Sequence, residues 1–87
     1  MKDSASAKQH VVLAAYLLEI RSREKLTRQQ VAERLGTSEL CIEEWESGSR
    51  QIDLVELRAY CGAVGIPLSE FVVGLEAVLS DSGSDSP

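Results

Sequence analysis

The side chains that most often carry out catalysis are few in this sequence. It has one histidine, His10, in a polar segment, and no motif places a serine or cysteine nucleophile with it. Three glutamates, Glu43, Glu44 and Glu46, could supply an acid and a base. On a helix, however, Glu43 and Glu44 point about 100° apart. Without a glycine-rich phosphate loop either, the sequence predicts a solvated acidic face and a protein that is not an enzyme.

The two cysteines do not have the spacing of a metal site. Cys41 and Cys61 lie far apart in the chain, neither belongs to a C-x-x-C pair, and only one histidine is present. We therefore predict no metal, no cofactor and two buried, reduced thiols. A redox-sensing role for Cys41, which lies beside the exposed helix face described below, is the alternative.

The acidic residues belong to a segment, Leu26 to Gly48, whose pattern is that of two short helices joined by a turn. Thr27 can cap the first helix, and Gln30 completes a capping box. Gly36 ends that helix where a left-handed residue is favoured. The buried face of this helix is expected to consist of Val31, Ala32 and Leu35.

The second helix of the pair is expected to begin at a cap, Thr37 or Ser38, and to end at Gly48. Its apolar stripe is Leu40 or Cys41, followed by Ile42 and Trp45, and we expect Trp45 in the core. Two helices joined by so short a turn cross steeply, which presents the outer face of the second to a partner. From Thr37 to Gly48 that helix has four carboxylates and no Lys or Arg.

Three further helices complete the prediction of an all-α fold. The first is expected over Lys8 to Lys25. A capping box of Asp53 and Glu56 begins the fourth, and Pro67 suits the first turn of the fifth. The residues expected in the core are Leu13, Tyr16, Leu17 and Ile20 on the first helix and Leu54, Leu57, Cys61 and Val64 on the fourth. Apolar residues follow at helical spacing along the fifth, namely Leu68, Phe71, Val72, Leu75, Val78 and Leu79.

The first helix is more apolar than one buried stripe requires. Val11, Val12, Ala15 and Leu18 form a surface with no evident occupant. The fifth helix, with Val72, Leu75, Val78 and Leu79, could cover it in two ways. It packs there within one chain, or the two surfaces pair across a two-fold axis of a homodimer.

Length and composition indicate one small domain. The 87 residues are 44% hydrophobic but only 5% aromatic, so we expect an aliphatic core with Trp45 as its largest member. No apolar run is long enough to cross a membrane, and the polar start lacks a signal-peptide core, which predicts a cytoplasmic protein without a membrane partner. The net charge of −5 argues against general adhesion to nucleic acid. We expect a flexible N-terminus over residues 1–7, a helix-turn-helix domain over 8–79 and a disordered tail over 80–87.

Over roughly residues 11 to 71, the sequence resembles the Cro and repressor-type helix-turn-helix family, also called the XRE family. This resemblance implies a five-helix, lambda-repressor-like DNA-binding domain. The matching positions are Arg21, Leu26-Thr27, Gln30-Val31-Ala32-Glu33-Arg34-Leu35-Gly36, Ser38, Ile42, Trp45-Glu46-Ser47-Gly48, Arg50 and Gly65-Ile66-Pro67-Leu68-Ser69-Glu70-Phe71.

The resemblance also implies roles for individual residues. Arg21 and Glu46 would form a largely buried ion pair. The start of the second helix and the recognition helix would line the major groove of DNA, and the loop that follows would track the phosphate backbone. The implied DNA-binding residues are Arg28, Gln29, Ser38, Glu39, Leu40, Glu43, Glu44, Arg50 and Gln51.

Two functions follow from these patterns. The first is a sequence-specific transcriptional regulator that binds double-stranded DNA, at a palindromic operator, as a homodimer. The second uses the same scaffold as a protein-protein interaction module, an adaptor, antitoxin or DNA mimic, whose acidic recognition-helix face docks a basic protein partner. A regulator would form a salt-sensitive complex with duplex DNA, whereas an adaptor would not.

Overall fold

Five helices make up the part of the chain that the computed structural model describes, which is residues 2–82, with side chains over 7–81. Within that part there is no strand, so the predicted all-α fold with five helices is confirmed. The helices are α1 (Lys2–Arg23), α2 (Arg28–Leu35), α3 (Glu39–Ser47), α4 (Leu54–Val64) and α5 (Leu68–Ser82).

The ends of α2 and α3 are fixed by local hydrogen bonds, as the sequence predicts. The Gln30 amide donates to Thr27 Oγ1 at 3.1 Å, and the Thr27 amide donates to Gln30 Oε1 at 2.8 Å. Ser38, and not Thr37, caps α3, because its Oγ accepts the Cys41 amide at 3.1 Å. Gly36, with φ of 70°, provides the left-handed residue that ends α2, so the turn between the helices is short.

The boundaries of α1 and α5 differ from the predicted ones. α1 begins at Lys2 instead of Lys8, so the segment predicted to be flexible is helical from that residue on. It ends at Arg23 instead of Lys25, because Lys25 is left-handed, with φ of 59°, and its amide donates back to Ser22 O. α5 continues to Ser82, three residues into the predicted tail. Met1 and residues 83–87, which the terminal predictions also covered, lie outside the described residues.

The core is less aliphatic than predicted. All four aromatic residues of the sequence are buried, and Tyr60 and Phe71 are fully so. Trp45 lies edge-on to Tyr60 with 6.3 Å between ring centroids, which confirms its expected place in the core. Leu54, predicted to be buried, is 67% exposed, because at the first position of α4 it precedes the turn where Leu57 reaches the core.

α5 covers only part of the apolar surface of α1. Tyr16 of α1 packs against Phe71 of α5, with 5.0 Å between ring centroids, and the Tyr16 hydroxyl lies against the Gly74 backbone. Leu75 and Val78 pack against the core. Several large apolar side chains of the two helices remain exposed, namely Val11, Leu18, Val72 and Val73.

No single helix among the described residues is long and apolar enough to span a membrane. The pair α4 and α5 would be long and apolar enough together, but the two helices are bent by 105° at their break.

Candidate nucleic-acid interface

α3 has one buried side and one exposed side. Its buried residues, Cys41, Ile42, Trp45 and Glu46, pack it into the domain. The exposed residues are Glu39, Leu40, Glu43 and Ser47, which we call the outer face of α3. At about 100° per residue, these four positions lie within an arc of about 100°. Because the opposite side of α3 is buried, these four side chains form a narrow exposed surface that faces the solvent.

The buried side of α3 is fixed by the predicted ion pair. Arg21 Nε donates to Glu46 Oε2 at 2.7 Å, and Arg21 Nη2 donates to Glu46 Oε1 at 2.9 Å. The third guanidinium nitrogen, Nη1, donates to the Leu26 carbonyl at 2.8 Å. Arg21 thus joins the end of α1 to both α3 and the segment before α2, so the orientation of the helix pair depends on it.

Glu46 stays ionised despite a fully buried carboxylate. Desolvation is the strongest single influence on its pKa and acts to raise it, but hydrogen bonds from Arg21, Tyr60 and Arg28 together outweigh that effect and place the pKa below its ordinary value. Hydrogen bonding to Glu46 also raises the pKa of Arg21. The pair is therefore charged at neutral pH.

Tyr60 of α4 supplies a further donor to the same carboxylate. Its hydroxyl lies 2.7 Å from Glu46 Oε2 and 2.9 Å from the Leu17 carbonyl, so one proton serves two acceptors. Burial, and then the hydrogen bond to the negatively charged Glu46, raise the pKa of Tyr60 well above its ordinary value. The hydroxyl thus remains protonated. Burial likewise raises the pKa of the neighbouring Cys61 thiol to about 11.

Arg28, predicted to contact DNA, also reaches Glu46. Its Nε donates to Glu46 Oε1 at 3.1 Å, and its side chain is 37% exposed. This contact could not be predicted from the sequence, because the two residues are eighteen positions apart and only the packing of α2 on α3 brings them together. The other edge of the guanidinium, Nη1 and Nη2, makes no hydrogen bond within the described part of the chain.

Arg50, the predicted phosphate contact after α3, is paired as well. Its Nε donates to Glu44 Oε1 at 3.1 Å, and its backbone amide donates to the Glu44 carbonyl at 3.2 Å. Side-chain hydroxyls of Ser47 and Ser49 approach the same carbonyl. These contacts fold the loop back onto the end of α3. The Arg50 side chain is still 54% exposed.

Apart from Glu44, which is partly buried beside Arg50, the remaining predicted site residues are exposed. Gln29 and Gln51 face the solvent, as do Ser38 at the start of α3 and Glu39, Leu40 and Glu43 on its outer face. The Ser38 hydroxyl accepts its capping hydrogen bond and keeps its proton for a further acceptor. Glu39 and Glu43 have no cationic partner among the described residues, so the outer face is acidic.

A small cleft lies between α1 and the segment that follows α3. It has a volume of about 20 Å³, which suits a single water molecule. Trp45 lines it, and the buried Nε1 of that residue lacks a hydrogen-bond partner in the described part of the chain. Over the same residues, no three His, Cys, Asp or Glu side chains are grouped as metal ligands would be. Cys41 and Cys61 are both buried and free, as predicted.

Comparisons with known proteins agree with this geometry. A model of the helix-turn-helix domain family matches residues 12–71. The solved structure of an XRE-family like protein from Pseudomonas syringae pv. tomato str. DC3000 is similar, with a TM-score of 0.81 and 26% identity over 88% of this chain and 94% of that one. The clp gene regulator ClgR from C. glutamicum has a similar fold, with a TM-score of 0.72 and 21% identity. The match covers 80% of this chain and 91% of that one. No curated protein matches significantly.

Proposed function

The chain belongs to the XRE-type helix-turn-helix family, and on that premise we propose that it is a cytoplasmic, sequence-specific DNA-binding transcriptional regulator that acts as a homodimer. The observation that carries the proposal is the orientation of α3. Its inner side is locked by Trp45 and by the Arg21–Glu46 pair, and its outer face is free of any covering element within the described residues. A helix held in this way can enter the major groove.

The outer face offers a small set of groups to base edges. Glu39 and Glu43 can accept hydrogen bonds from cytosine N4 or adenine N6, and Leu40 can contact a thymine methyl group. Near the start of α3, the Gln29 amide can both donate and accept hydrogen bonds, and the Ser38 hydroxyl can donate one. Sequence preference would therefore depend on acceptors and an apolar contact instead of arginine–guanine pairs.

Electrostatic attraction to the phosphates would be limited. Arg21 is committed to Glu46, which leaves Arg28 and Arg50 as the cations next to α3. With about two phosphate contacts per half-site, one from each arginine, the slope of log affinity against log salt would be about −2. We expect a complex that is measurable at low salt and weak at physiological salt.

A homodimer interface is proposed on α1 and α5. Val11 and Leu18 lie on one face of α1 by their spacing, and both are exposed, as are Val72 and Val73 of the adjoining helix. Pairing these residues with those of a second copy would bury them and place two recognition helices for two half-sites of a palindromic operator.

The second candidate is a protein-binding module on the same scaffold, and the charge of the outer face favours it. Glu39 and Glu43 are exposed and lack cationic partners in the described structure, while the two arginines nearest to α3 are each paired with a carboxylate. An acidic ridge of this kind would attract a basic protein surface.

Selection from a random pool of duplexes at low salt separates the two candidates. A regulator enriches a palindrome, and the enriched duplex then binds with the expected salt slope. An adaptor leaves the pool unenriched and instead binds a basic protein in a pull-down. The matched control is the Leu40→Glu variant, which places a further charge on the outer face and should abolish enrichment without disturbing the buried side of α3.

A further inference from the structure

We propose that Glu44 and Glu46 are positioning residues that orient Arg50 and Arg28 as two phosphate-binding groups, one along each border of the outer face of α3. The proposal rests on DNA binding as the proposed function and names which side chains would hold the DNA backbone. It gives two of the four carboxylates of α3 a supporting role in a surface whose charge otherwise repels DNA.

Glu44 and Glu46 lie on either side of the outer face around the axis of α3. The outer face extends from Glu39 to Leu40 in angular order, about 100° around the axis. Glu44 lies about 40° beyond Leu40, and Glu46 lies about 20° beyond Glu39 on the other side. The two carboxylates thus border opposite edges of the outer face. We therefore infer that the arginines they hold, Arg50 and Arg28, lie on opposite sides of the helix.

The two arginines are held in the same way, each through its own Nε. In each case Nε donates to a glutamate Oε1 at 3.1 Å, and the edge formed by Nη1 and Nη2 has no hydrogen-bond acceptor in the described chain. A guanidinium is planar, so fixing Nε also fixes the direction of that free edge. Two parallel N–H donors are the arrangement that binds two phosphate oxygens at once.

The placement of the two guanidinium edges suits a helix that lies in the major groove of DNA. A helix in the major groove has a phosphate strand on each side. Free guanidinium edges at both borders of the outer face would meet one strand each. Because the arginines are held before binding, less side-chain freedom is lost on complex formation. Each glutamate therefore contributes to DNA binding by orientation, although its own charge opposes it.

Two variants with the same charge change test this idea on the Arg50 side. Glu43→Gln and Glu44→Gln each remove one negative charge close to the DNA, but only Glu44 holds an arginine. Binding to a fluorescein-labelled, fixed-sequence duplex is followed by anisotropy at low salt. Glu43→Gln should strengthen binding about two- to fivefold. Glu44→Gln should bind at least about threefold more weakly than Glu43→Gln, and this difference should vanish when Arg50 is also replaced by Ala.

The Arg28 side needs a different variant, since Glu46 also supports the fold. Arg28→Lys keeps the charge but loses the two parallel donors, so binding should weaken about tenfold. Arg58→Lys, the same change at an exposed position of α4, should leave affinity unchanged.

A measurement on the free protein tests the Arg50 side without DNA. The Arg50 Nε–H NMR signal should exchange slowly with water in Glu43→Gln and rapidly in Glu44→Gln, because only Glu44 accepts a hydrogen bond from that group.

The outcomes distinguish this proposal from the proposed function. If the wild-type chain binds the duplex but Glu43→Gln and Glu44→Gln behave alike, or Arg28→Lys binds as wild type does, the positioning role is wrong and the regulator remains. If the wild-type chain binds no duplex at low salt, the proposed function is wrong and the positioning role is overturned with it.

Discussion

Arg21 holds Glu46 through two nearly parallel hydrogen bonds, Nε to Oε2 at 2.7 Å and Nη2 to Oε1 at 2.9 Å, across the contact between α1 and α3. The carboxylate is fully buried and the guanidinium nearly so. Burial removes most of the net gain from such a pair, but loss of one partner leaves an uncompensated charge. The pair therefore determines how α3 is oriented more than how stable the domain is.

Replacing Glu46 with Gln should lower the free energy of unfolding by about 3–5 kcal/mol, because Arg21 would keep a buried charge without its counter-ion. Glu43→Gln is the matched control, since Glu43 is exposed and has no ion pair in the described structure, and it should change stability by less than about 0.5 kcal/mol. Urea denaturation followed by tryptophan fluorescence measures both. Equal midpoints for Glu46→Gln and wild type would show that the pair does not hold the fold.

Acid should remove the contribution of Glu46 to stability. Because hydrogen bonds from Arg21, Tyr60 and Arg28 hold its folded-state pKa below the ordinary 4.5, the contribution is complete above that value. It is lost as the pH falls through the lower, folded-state pKa. The difference in thermal midpoint between wild type and Glu46→Gln should therefore narrow on acidification below about pH 4.5. A difference that stays constant down to pH 2 would contradict this.

Gly74→Ala should destabilise the contact between α1 and α5. A Cβ at Gly74 would overlap the hydroxyl of Tyr16, whose ring is buried against Phe71 and cannot easily move aside. We expect a loss of about 1–3 kcal/mol, as for other overpacked sites. Gly62→Ala is the control, because nothing lies within 4 Å of a Cβ there and alanine favours a helix, so stability should rise. Tyr16→Phe combined with Gly74→Ala should recover part of the loss. If the double variant is no more stable than Gly74→Ala, the Tyr16 hydroxyl is not the cause of the loss.

The elements that could be predicted from the sequence are those with local causes. The capping boxes at Thr27 and Asp53 and the left-handed Gly36 depend only on residues within one turn, and all three are present in the structure. The Arg21–Glu46 pair was also predicted, but from the family resemblance, since no local rule joins two residues 25 positions apart.

The features that could not be predicted depend on tertiary packing. The contact of Arg28 with Glu46 arises only when α2 and α3 cross, so the sequence showed a free cation where the structure has a paired one. Leu54 fits an apolar stripe by its spacing, but it stands at the first position of α4, before the turn where Leu57 reaches the core. Lys25 ends α1 in a left-handed conformation that local preference would assign to glycine.

The proposed dimer can be tested at the surface of α1. Val11→Glu places a charge on the exposed stripe of α1, which should convert a dimer into a folded monomer in sedimentation experiments. Val55→Glu, at an even more exposed valine of α4, should leave the oligomeric state unchanged. A wild-type chain that sediments as a monomer at every concentration, or a dimer that survives Val11→Glu, would contradict an interface there.

The most direct test of the central claim, that the outer face of α3 reads DNA bases, is to repeat the duplex selection with Glu39→Gln. A carboxylate only accepts hydrogen bonds, whereas an amide pairs with adenine in both directions, a change worth about 1–3 kcal/mol of discrimination. Glu70→Gln, the same change at an exposed position of α5, is the control and should recover the wild-type sequence. Our account predicts that Glu39→Gln enriches the same palindrome with one base pair altered in each half-site. An unaltered palindrome, or no enrichment with any of the three proteins, would show that this face does not read DNA.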